Sequence, residues 1–351
     1  MDCESDTIDS PKPPGPGGDP IHEEGVRLDT KSLFRAILPE LDALETFLNE
    51  TLSDVDPGVK GVVSHLLGVG GKRIRPSLVF LAAKFGKAPH SDKILPVAAA
   101  TELIHMATLV HDDVVDQALV RRGRLTVHTK WSRRVAVLAG DYLFAQAFRL
   151  LARTGDPRAT DIMAKVVYDM CQGEIQESIV ALEEGPVSEA VYLERIGKKT
   201  AIFLAESCRI GAIMADADER FVKALETFGW GLGLGFQIVD DMLDLTASSV
   251  SFGKALGADL RAGIMTLPLI HALAHSPDRL RLAALARQGA RGEGDVAEVR
   301  GILGASGSFA YAEQKAKTFV ADALEGIKGL PSCEAKEALT SMASFVMERQ
   351  A

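Results

Sequence analysis

The pattern Asp-Asp-x-x-Asp occurs twice in this chain, each time within a segment that is otherwise apolar and helical in pattern. The two clusters are Asp112, Asp113 and Asp116, and Asp240, Asp241 and Asp244. Residues four apart lie on the same face of a helix, so the outer two aspartates of each cluster point together. Like charges at that spacing destabilise a helix, and a carboxylate is costly to bury without a partner. Each cluster therefore favours binding of a cation.

Magnesium is the cation that these carboxylates fit best. All-oxygen ligands suit Mg²⁺, which keeps several waters and is usually shared with substrate phosphates. Calcium is a weaker candidate, because the alternating ligands and central glycine of an EF-hand loop are absent. The non-functional alternative for each cluster is a solvated acidic face of a helix or a set of helix-capping residues. Two identical clusters in apolar surroundings argue against that alternative.

Two basic runs could bind an anion. The first, Gly70–Pro76, reads Gly-Gly-Lys-Arg-Ile-Arg-Pro, in which the glycines let the backbone approach a ligand and the proline suits the first turn of a helix. Lys72 offers a point charge and Arg75 a bidentate fork to phosphate oxygens. The second, Gly197–Thr200, is predicted to be a turn that opens a helix, a favourable place for anions. Basic loops are often merely solvated, so each run alone is a weak signal.

Further polar residues accompany the first aspartate cluster. His105 lies seven residues before Asp112 and so on the same predicted helix face. A lone histidine on a helix is more often structural than functional, and both interpretations stay open. Arg121 and Arg122 follow the cluster directly and add positive charge beside it.

The segments that carry these residues are predicted to be helices. Leu41, Leu44, Leu48 and Leu52 recur at helical spacing after about Asp29. Similar patterns continue at 59–68, 76–86, 93–117, 131–153, 156–182, 188–213, 218–248, 264–275, 309–325 and 334–349. Residues 286–308, rich in Gly, Ala and Ser, are predicted to be a loose connection. We expect one all-α domain over 29–351, with ten or more helices.

Composition and charge restrict the class of protein. The chain has 351 residues, of which 47% are hydrophobic, 25% charged and 6% aromatic, as in a soluble protein rich in helix. A net charge of −9 makes a nucleic-acid binder unlikely. Residues 1–25 hold seven acids and one lysine, with many prolines and glycines, and are predicted to be a disordered tail. The predicted domain is therefore much closer to neutral than the whole chain.

The cysteines and apolar runs indicate a cytoplasmic protein. The four cysteines stand far apart, and none forms a C-x-x-C pair, so we expect a reducing compartment and no structural zinc site. No uncharged apolar run approaches the length of a membrane span, and the N-terminus lacks the pattern of a signal peptide. Stable insertion into a membrane is not expected.

Taken together, these motifs resemble the trans-polyprenyl diphosphate synthase family. From Gly70 to Pro268 they appear in the order GGKRIRP, ELIHMATLVHDDVVDQALVRRG, KTA, GFQIVDDMLD, GK and TLP. The resemblance implies a single large bundle of mostly antiparallel helices around a central active-site cavity, usually in a homodimer. It also implies Mg²⁺-dependent, head-to-tail condensation of isopentenyl diphosphate with an allylic diphosphate, with two or three Mg²⁺ ions bound beside the substrate.

The resemblance assigns roles to individual residues. The metal sites would be formed by Asp112 and Asp116, with Asp113 beside them, and by Asp240 and Asp244, with Asp241 in support. The ligands of isopentenyl diphosphate would be Lys72, Arg75, His105 and Arg122. The contacts to the allylic diphosphate would be Arg121, Lys199, Thr200, Gln237 and Lys254. One departure is Ile264, which stands where the family often has lysine, so one distal phosphate contact would be missing.

The residues before the first cluster bear on product length. In this family, bulky residues four and five positions before the first aspartate stop chain growth, and here those positions hold Thr108 and Ala107. The two-residue gap inside the first cluster also differs from the longer insert of many geranylgeranyl synthases. Both features resemble medium- and long-chain members such as heptaprenyl and octaprenyl diphosphate synthases. Ile104 and Met106 could still cap the tunnel.

Three alternatives remain at this point. The chain could be a short-chain farnesyl or geranylgeranyl diphosphate synthase. It could be another class I terpenoid enzyme such as a cyclase, although a cyclase has no need of a second-substrate pocket like Gly70–Pro76. It could be a subunit of a heteromeric synthase, although a purely regulatory partner tends to lose the aspartates.

Overall fold

The structure, a computed structural model, describes residues 34–53, 55–68, 70–180, 187–246, 256–289 and 292–348. These residues are almost entirely helical, which confirms the predicted all-α class. A short antiparallel hairpin, paired Val120 to Leu125, is the exception among them. The predicted tail at 1–25 and the predicted ligand Lys254 lie outside the described residues.

The elements follow one another with short connections. After a single 3₁₀ turn at Arg35–Ile37, they are α1 (Leu38–Ser53), α2 (Pro57–Gly68), α3 (Ile74–Ala83), α4 (Ile94–Val115), β1 (Val120–Arg121), β2 (Arg124–Leu125), α5 (Val127–Lys130), α6 (Arg133–Arg153), α7 (Pro157–Val180), α8 (Glu189–Ile196), a π-helical segment (Gly197–Ala201), α9 (Ile202–Met214), α10 (Glu219–Thr246), α11 (Ala258–Arg261), α12 (Leu267–His275), α13 (Arg279–Gln288), α14 (Glu293–Ala305), α15 (Ser308–Gly326) and α16 (Glu334–Glu348).

Helix α4, which carries the first aspartate cluster, is packed against α6. A Cβ on Gly140 of α6 would lie only 2.1 Å from Nε2 of His111, so the two helices meet closely there. By length and composition α4 and α6 could each cross a membrane, but 67% of the apolar window of α4 and 44% of that of α6 are buried inside the protein. Core helices of soluble proteins have the same composition, so these two are weak evidence for a membrane span.

Helix α10, which carries the second cluster, is packed tightly against α9, the π segment and α15. Four glycines spaced two apart make this possible, namely Gly229, Gly231, Gly233 and Gly235. A Cβ on Gly233 would lie 2.5 Å from Cα of Ala201 on one side, and a Cβ on Gly231 would lie 2.6 Å from the carbonyl oxygen of Phe319 on the other. Real Cβ atoms do not approach so closely, so the glycines let α10 contact the π segment and α15 backbone to backbone.

Two sequence expectations about elements are wrong. Residues 286–308 are not a loose connection, because α13 extends to Gln288 and α14 covers Glu293–Ala305. Val296, Val299 and Leu303 of α14 are buried in a cluster with Leu245 of α10. The run Gly197–Thr200 is not a turn that opens a helix, because the chain stays helical from α8 into α9. It therefore offers no free helix N-terminus to an anion.

Candidate active site

Asp112 lies on the last turn of α4, half-buried, one turn before the exposed Asp116. The backbone N–H of Asp116 donates to the carbonyl oxygen of Asp112 at 2.8 Å, so helical geometry extends through the cluster. Burial, followed by the nearby negative charge of Glu174, raises the pKa of Asp112 to about 7. The carboxylate form is therefore disfavoured at this position until a cation accompanies it.

Asp113, the middle member of the first cluster, faces a different partner. It is buried, and Nε of Arg121 donates to its Oδ1 at 2.7 Å. Burial still raises the pKa of Asp113, although the positive charge of Arg121 opposes the shift. Asp113 therefore holds the hairpin arginine in place instead of pointing with Asp112 and Asp116.

Lys199 of the π segment is held by two acids of α7. Its Nζ lies 2.8 Å from Oε2 of Glu174 and 3.1 Å from Oε1 of Glu177. Burial lowers the pKa of Lys199, but the charges of Glu177 and Glu174 outweigh it and raise the pKa above its usual value. Because Glu174 also acts electrostatically on Asp112, it links the predicted allylic site to the first cluster.

Neither glutamate was singled out by the sequence. Their spacing could have indicated them, in the run Gly173-Glu174-Ile175-Gln176-Glu177. Both acids lie on one side of a helix, and the glycine leaves room there for a neighbouring element. A Cβ on Gly173 would lie 3.1 Å from Cβ of Lys198, so the glycine admits the π segment at this point.

A chain of hydrogen bonds joins the π segment to the second aspartate cluster. Oγ1 of Thr200 donates to Oε1 of Gln237 at 2.7 Å, and Nε2 of Gln237 donates to Oδ1 of Asp241 at 2.8 Å. The hydroxyl of Tyr192 donates to Oδ2 of Asp241 at 2.7 Å. Both oxygens of Asp241 are thus engaged, and burial raises its pKa. Asp241 is therefore held in a hydrogen-bond network beside the outer aspartates, and Tyr192 is a member of that network that the sequence did not indicate.

The outer aspartates of the second cluster differ in exposure. Asp240 is exposed, and Asp244 is half-buried. The carboxylate of Asp244 accepts from the backbone N–H groups of Ala258 and Asp259, each at 3.1 Å, at the start of α11. Asp244 therefore ties α10 to the segment that follows it.

Two cations of the basic loop Gly70–Pro76 contact aromatic rings of α9 and α16. The guanidinium of Arg75 lies 4.7 Å from the ring centroid of Phe203, and Nζ of Lys72 lies 4.8 Å from that of Phe345. Burial lowers the pKa of Arg75 to about 10, and its buried Nε has no hydrogen-bond partner among the described residues. A buried donor of this kind is expected to acquire an acceptor.

His105 and Arg122, also predicted to bind isopentenyl diphosphate, line a different pocket from Lys72. Burial lowers the pKa of His105 well below its usual value, and the charges of Arg75 and Arg122 lower it further, so the imidazole is neutral. Nη1 of Arg122 donates to the carbonyl oxygen of Gly70, which joins the hairpin to the basic loop. His105 and Arg122 line one pocket of about 50 Å³ together with apolar side chains of α4.

The residues expected to control product length lie on α4, about one turn N-terminal to the first aspartate cluster. Ala107 is fully buried, and the hydroxyl of Thr108 donates back to the carbonyl oxygen of His105 at 2.8 Å. Neither side chain is bulky. Ile264, the departure from the family pattern, is half-buried, and its backbone N–H donates to the carbonyl oxygen of Asp259 at 2.9 Å.

The donor set fits a hard divalent cation that is shared with a ligand. Within the ranges that the structure describes, no three Asp, Glu, His or Cys side chains converge closely enough to hold a metal alone. Mg²⁺ is usually bound by one or two carboxylates, with waters and substrate phosphates completing its shell. The raised pKa of Asp112 agrees with a carboxylate that requires such a cation.

Known proteins resemble this chain over most of its length. The sequence model of the family described as Polyprenyl synthetase matches residues 56–303. Heptaprenyl diphosphate synthase component 2 of Geobacillus stearothermophilus is 40% identical over 88% of this chain and 99% of its own length. Octaprenyl diphosphate synthase of Haemophilus influenzae is 37% identical over 87% of this chain and 92% of its own length. A crystal structure of polyprenyl synthase from Caulobacter crescentus CB15, complexed with calcium and isoprenyl diphosphate, matches with a TM-score of 0.86 at 32% identity, covering 92% of this chain and 98% of that one.

Proposed function

The chain belongs to the polyprenyl synthetase family, and from that membership we propose that it joins isopentenyl diphosphate head to tail to an allylic diphosphate, making a trans-polyprenyl diphosphate of medium or long chain. The observation that carries this proposal is the arrangement around the π segment. Lys199 lies beside the first aspartate cluster, and Thr200 is joined through Gln237 to the second. One diphosphate could therefore be held between the two clusters.

We assign the two clusters to Mg²⁺. Asp112, Asp116 and Asp240 would be its ligands, and Asp244 would join them when its backbone contacts are exchanged. When bound, Mg²⁺ neutralises the negative charge that develops on the departing pyrophosphate. The calcium in the related Caulobacter structure supports a divalent ion in this family, and the choice of Mg²⁺ rests on the all-oxygen donors of this chain.

The cationic side chains divide between two substrates. Lys199, Thr200 and Arg121 hold the allylic diphosphate, with Lys199 supplying charge and Thr200 a hydroxyl. Lys72, Arg75, His105 and Arg122 hold the diphosphate of isopentenyl diphosphate. Because the pKa of His105 is depressed, this residue binds as a neutral donor. We assign no protein base to the last step, in which the departing pyrophosphate accepts the proton.

The surroundings of the clusters keep water away from the reacting carbon. Ionisation of an allylic diphosphate gives a carbocation that water would quench. Met106, Leu109 and Val110 of α4 form an apolar wall to the pocket beside His105. Neither Ala107 nor Thr108 is bulky enough to stop a chain that grows along α4, which favours a product longer than geranylgeranyl diphosphate.

A product assay tests the proposal. The purified chain is incubated with Mg²⁺, farnesyl diphosphate and labelled isopentenyl diphosphate, and the products are sized after removal of the diphosphate. We expect a product between hexaprenyl and decaprenyl. A farnesyl or geranylgeranyl end product would contradict the length, and absence of any condensation with or without a cell extract would contradict the activity.

The same assay tests the assigned residues. Asp112→Ala and Asp240→Ala should each lower turnover by about 100-fold or more, since each removes a carboxylate that binds the metal. Lys72→Ala should raise the KM for isopentenyl diphosphate. Asp322→Ala, an exposed aspartate on α15, is the control and should leave the rate unchanged. Near-normal rates for both cluster variants would show that the metal sites are assigned wrongly.

A second candidate is an active subunit that needs a smaller partner. It is favoured by the 40% identical relative, whose name is that of a numbered component. Turnover by the purified chain alone would exclude it. No turnover alone, with activity restored by a cell extract, would favour it over a homodimer.

A further inference from the structure

Arg73, the middle cation of the basic loop, has contacts unlike those of Lys72 and Arg75. Its Nε donates to Oε1 of Glu45 at 2.6 Å and its Nη2 to Oε2 of the same residue at 3.2 Å. Its Nη1 donates to Oε1 of Glu102 at 2.6 Å. The guanidinium therefore joins α1 and α4, which carry the two glutamates, to the loop that begins α3.

These contacts engage three of the five N–H donors of the Arg73 guanidinium. A phosphate that displaced Glu102 from Nη1 would leave that carboxylate as a buried charge without its partner, since only 4% of its side chain is exposed. Burial lowers the pKa of Arg73, but Glu45 and Glu102 together raise it above its usual value. Arg75, by contrast, has a buried Nε that no described residue accepts from.

The backbone at Arg73 is held in an unusual conformation. Its φ is +49°, in the left-handed region that residues other than glycine rarely adopt. Such a conformation persists only where the surrounding contacts hold it. Because this residue immediately precedes the first turn of α3, its backbone sets the directions in which Lys72 and Arg75 leave the loop.

We infer that Arg73, anchored by Glu45 and Glu102, is the positioning residue that orients Lys72 and Arg75 toward the diphosphate of isopentenyl diphosphate. The inference rests on the proposed function, because it takes these two residues to be the ligands of that substrate. It assigns functional roles to Arg73 and to two glutamates that would otherwise be a structural ion-pair network. It also predicts an effect on one substrate and not on the other.

Binding of isopentenyl diphosphate alone is the test. Calorimetry with Mg²⁺ but without an allylic diphosphate measures its Kd with no turnover. Arg73→Gln should raise this Kd roughly tenfold, because small displacements of positioned groups have large effects. Glu45→Gln should raise it in the same direction by less, and it should fold normally because 48% of the Glu45 side chain is exposed. Arg73→Lys should recover part of the loss.

The chain offers a matched control in Arg281. Its Nε and Nη2 form the same two-bond fork to Glu298, at 2.7 Å each, on the surface between α13 and α14. Arg281→Gln should leave the Kd within twofold of wild type. In steady-state assays, Arg73→Gln and Glu45→Gln should raise the KM for isopentenyl diphosphate and leave the KM for the allylic diphosphate unchanged.

Two failures can be told apart. If wild type does not bind isopentenyl diphosphate, the proposed function is wrong and the inference is wrong with it. If wild type binds it and Glu45→Gln and Arg73→Gln bind it equally well, only the inference is overturned. Equal increases in the KM of both substrates would also overturn it, since that pattern indicates a general structural role. If Arg73→Gln does not fold, Glu45→Gln alone decides the outcome.

Discussion

At the scale of single residues, Asp112 occupies a position where a charged carboxylate destabilises the folded protein. Asp112 is half-buried near Glu174, and its raised pKa means that the charged form is less stable in the fold than in the unfolded chain. The carboxylate that we propose binds the metal therefore lowers the stability of the fold, and a bound cation offsets this loss. A neutral side chain of the same shape would remove both the cost and the metal ligand.

Asp112→Asn should therefore stabilise the metal-free protein and abolish its activity. Since an aspartate in an unfolded chain titrates near pH 4 and Asp112 titrates at about pH 7 in the fold, the gain should be absent below about pH 4. It should grow as pH rises from 4 to 7 and then level off. Thermal unfolding in EDTA at several pH values measures the difference. A variant less stable than wild type at pH 8 would contradict this account.

The sequence indicated the residues that we propose as substrate and metal ligands, but not the residues that hold those ligands in place. The aspartates, Lys72 and Arg75 stand in short, recognisable motifs, and the comparisons confirm the family that those motifs indicated. Glu102, Glu174 and Tyr192 act through partners that are distant in the chain, such as Tyr192 on Asp241. No local spacing reveals such pairs, because the fold alone brings them together.

At the scale of elements, the contact between α10 and the π segment determines where Lys199 and Thr200 lie. Gly233 faces Cα of Ala201, the last residue of that segment. The loose connection predicted at 286–308 failed for a related reason. Glycine and alanine are abundant there, and composition alone does not reveal that Val296, Val299 and Leu303 face the core.

Gly233→Ala should displace the π segment and lower turnover by about tenfold or more, because the new Cβ would lie 2.5 Å from Ala201. Gly301→Ala is the matched control. Gly301 lies in the middle of α14 with open space around it, so the change should stabilise the protein by about 0.5–1 kcal/mol without altering the rate. Steady-state rates and denaturant unfolding of both variants check this pair. A fully active Gly233→Ala enzyme would show that the close contact is dispensable.

At the scale of the whole molecule, the solvent face of α6 and α7 carries four large apolar side chains. Leu138 of α6 and Tyr168, Ile175 and Ile179 of α7 are each more than half exposed. Large exposed apolar patches mark contact surfaces. We propose that a second copy of the chain covers this face, consistent with the homodimer that the family resemblance implied.

Ile175→Glu should convert a dimer into a monomer, since it places a charge among the apolar side chains of the proposed contact. Leu280→Glu is the control, because Leu280 is 82% exposed on α13, away from this face, and should leave the mass unchanged. Light scattering after gel filtration measures both. A monomeric wild type, or an Ile175→Glu variant that remains dimeric, would rule out this surface as the dimer contact.

The π-helical segment at Gly197–Ala201 has a consequence for how this protein tolerates insertion and deletion. Its hydrogen bond from Ile202 to Gly197 spans one residue more than an α-turn, and each residue of a helix advances the chain by about 100° around the axis. Deleting Lys198 would make the helix more regular and leave the buried side chains of Thr200 and Ala201 in the chain. It would nevertheless rotate Tyr192 out of phase with Thr200, although both are joined to Asp241 by hydrogen bonds, Tyr192 directly and Thr200 through Gln237.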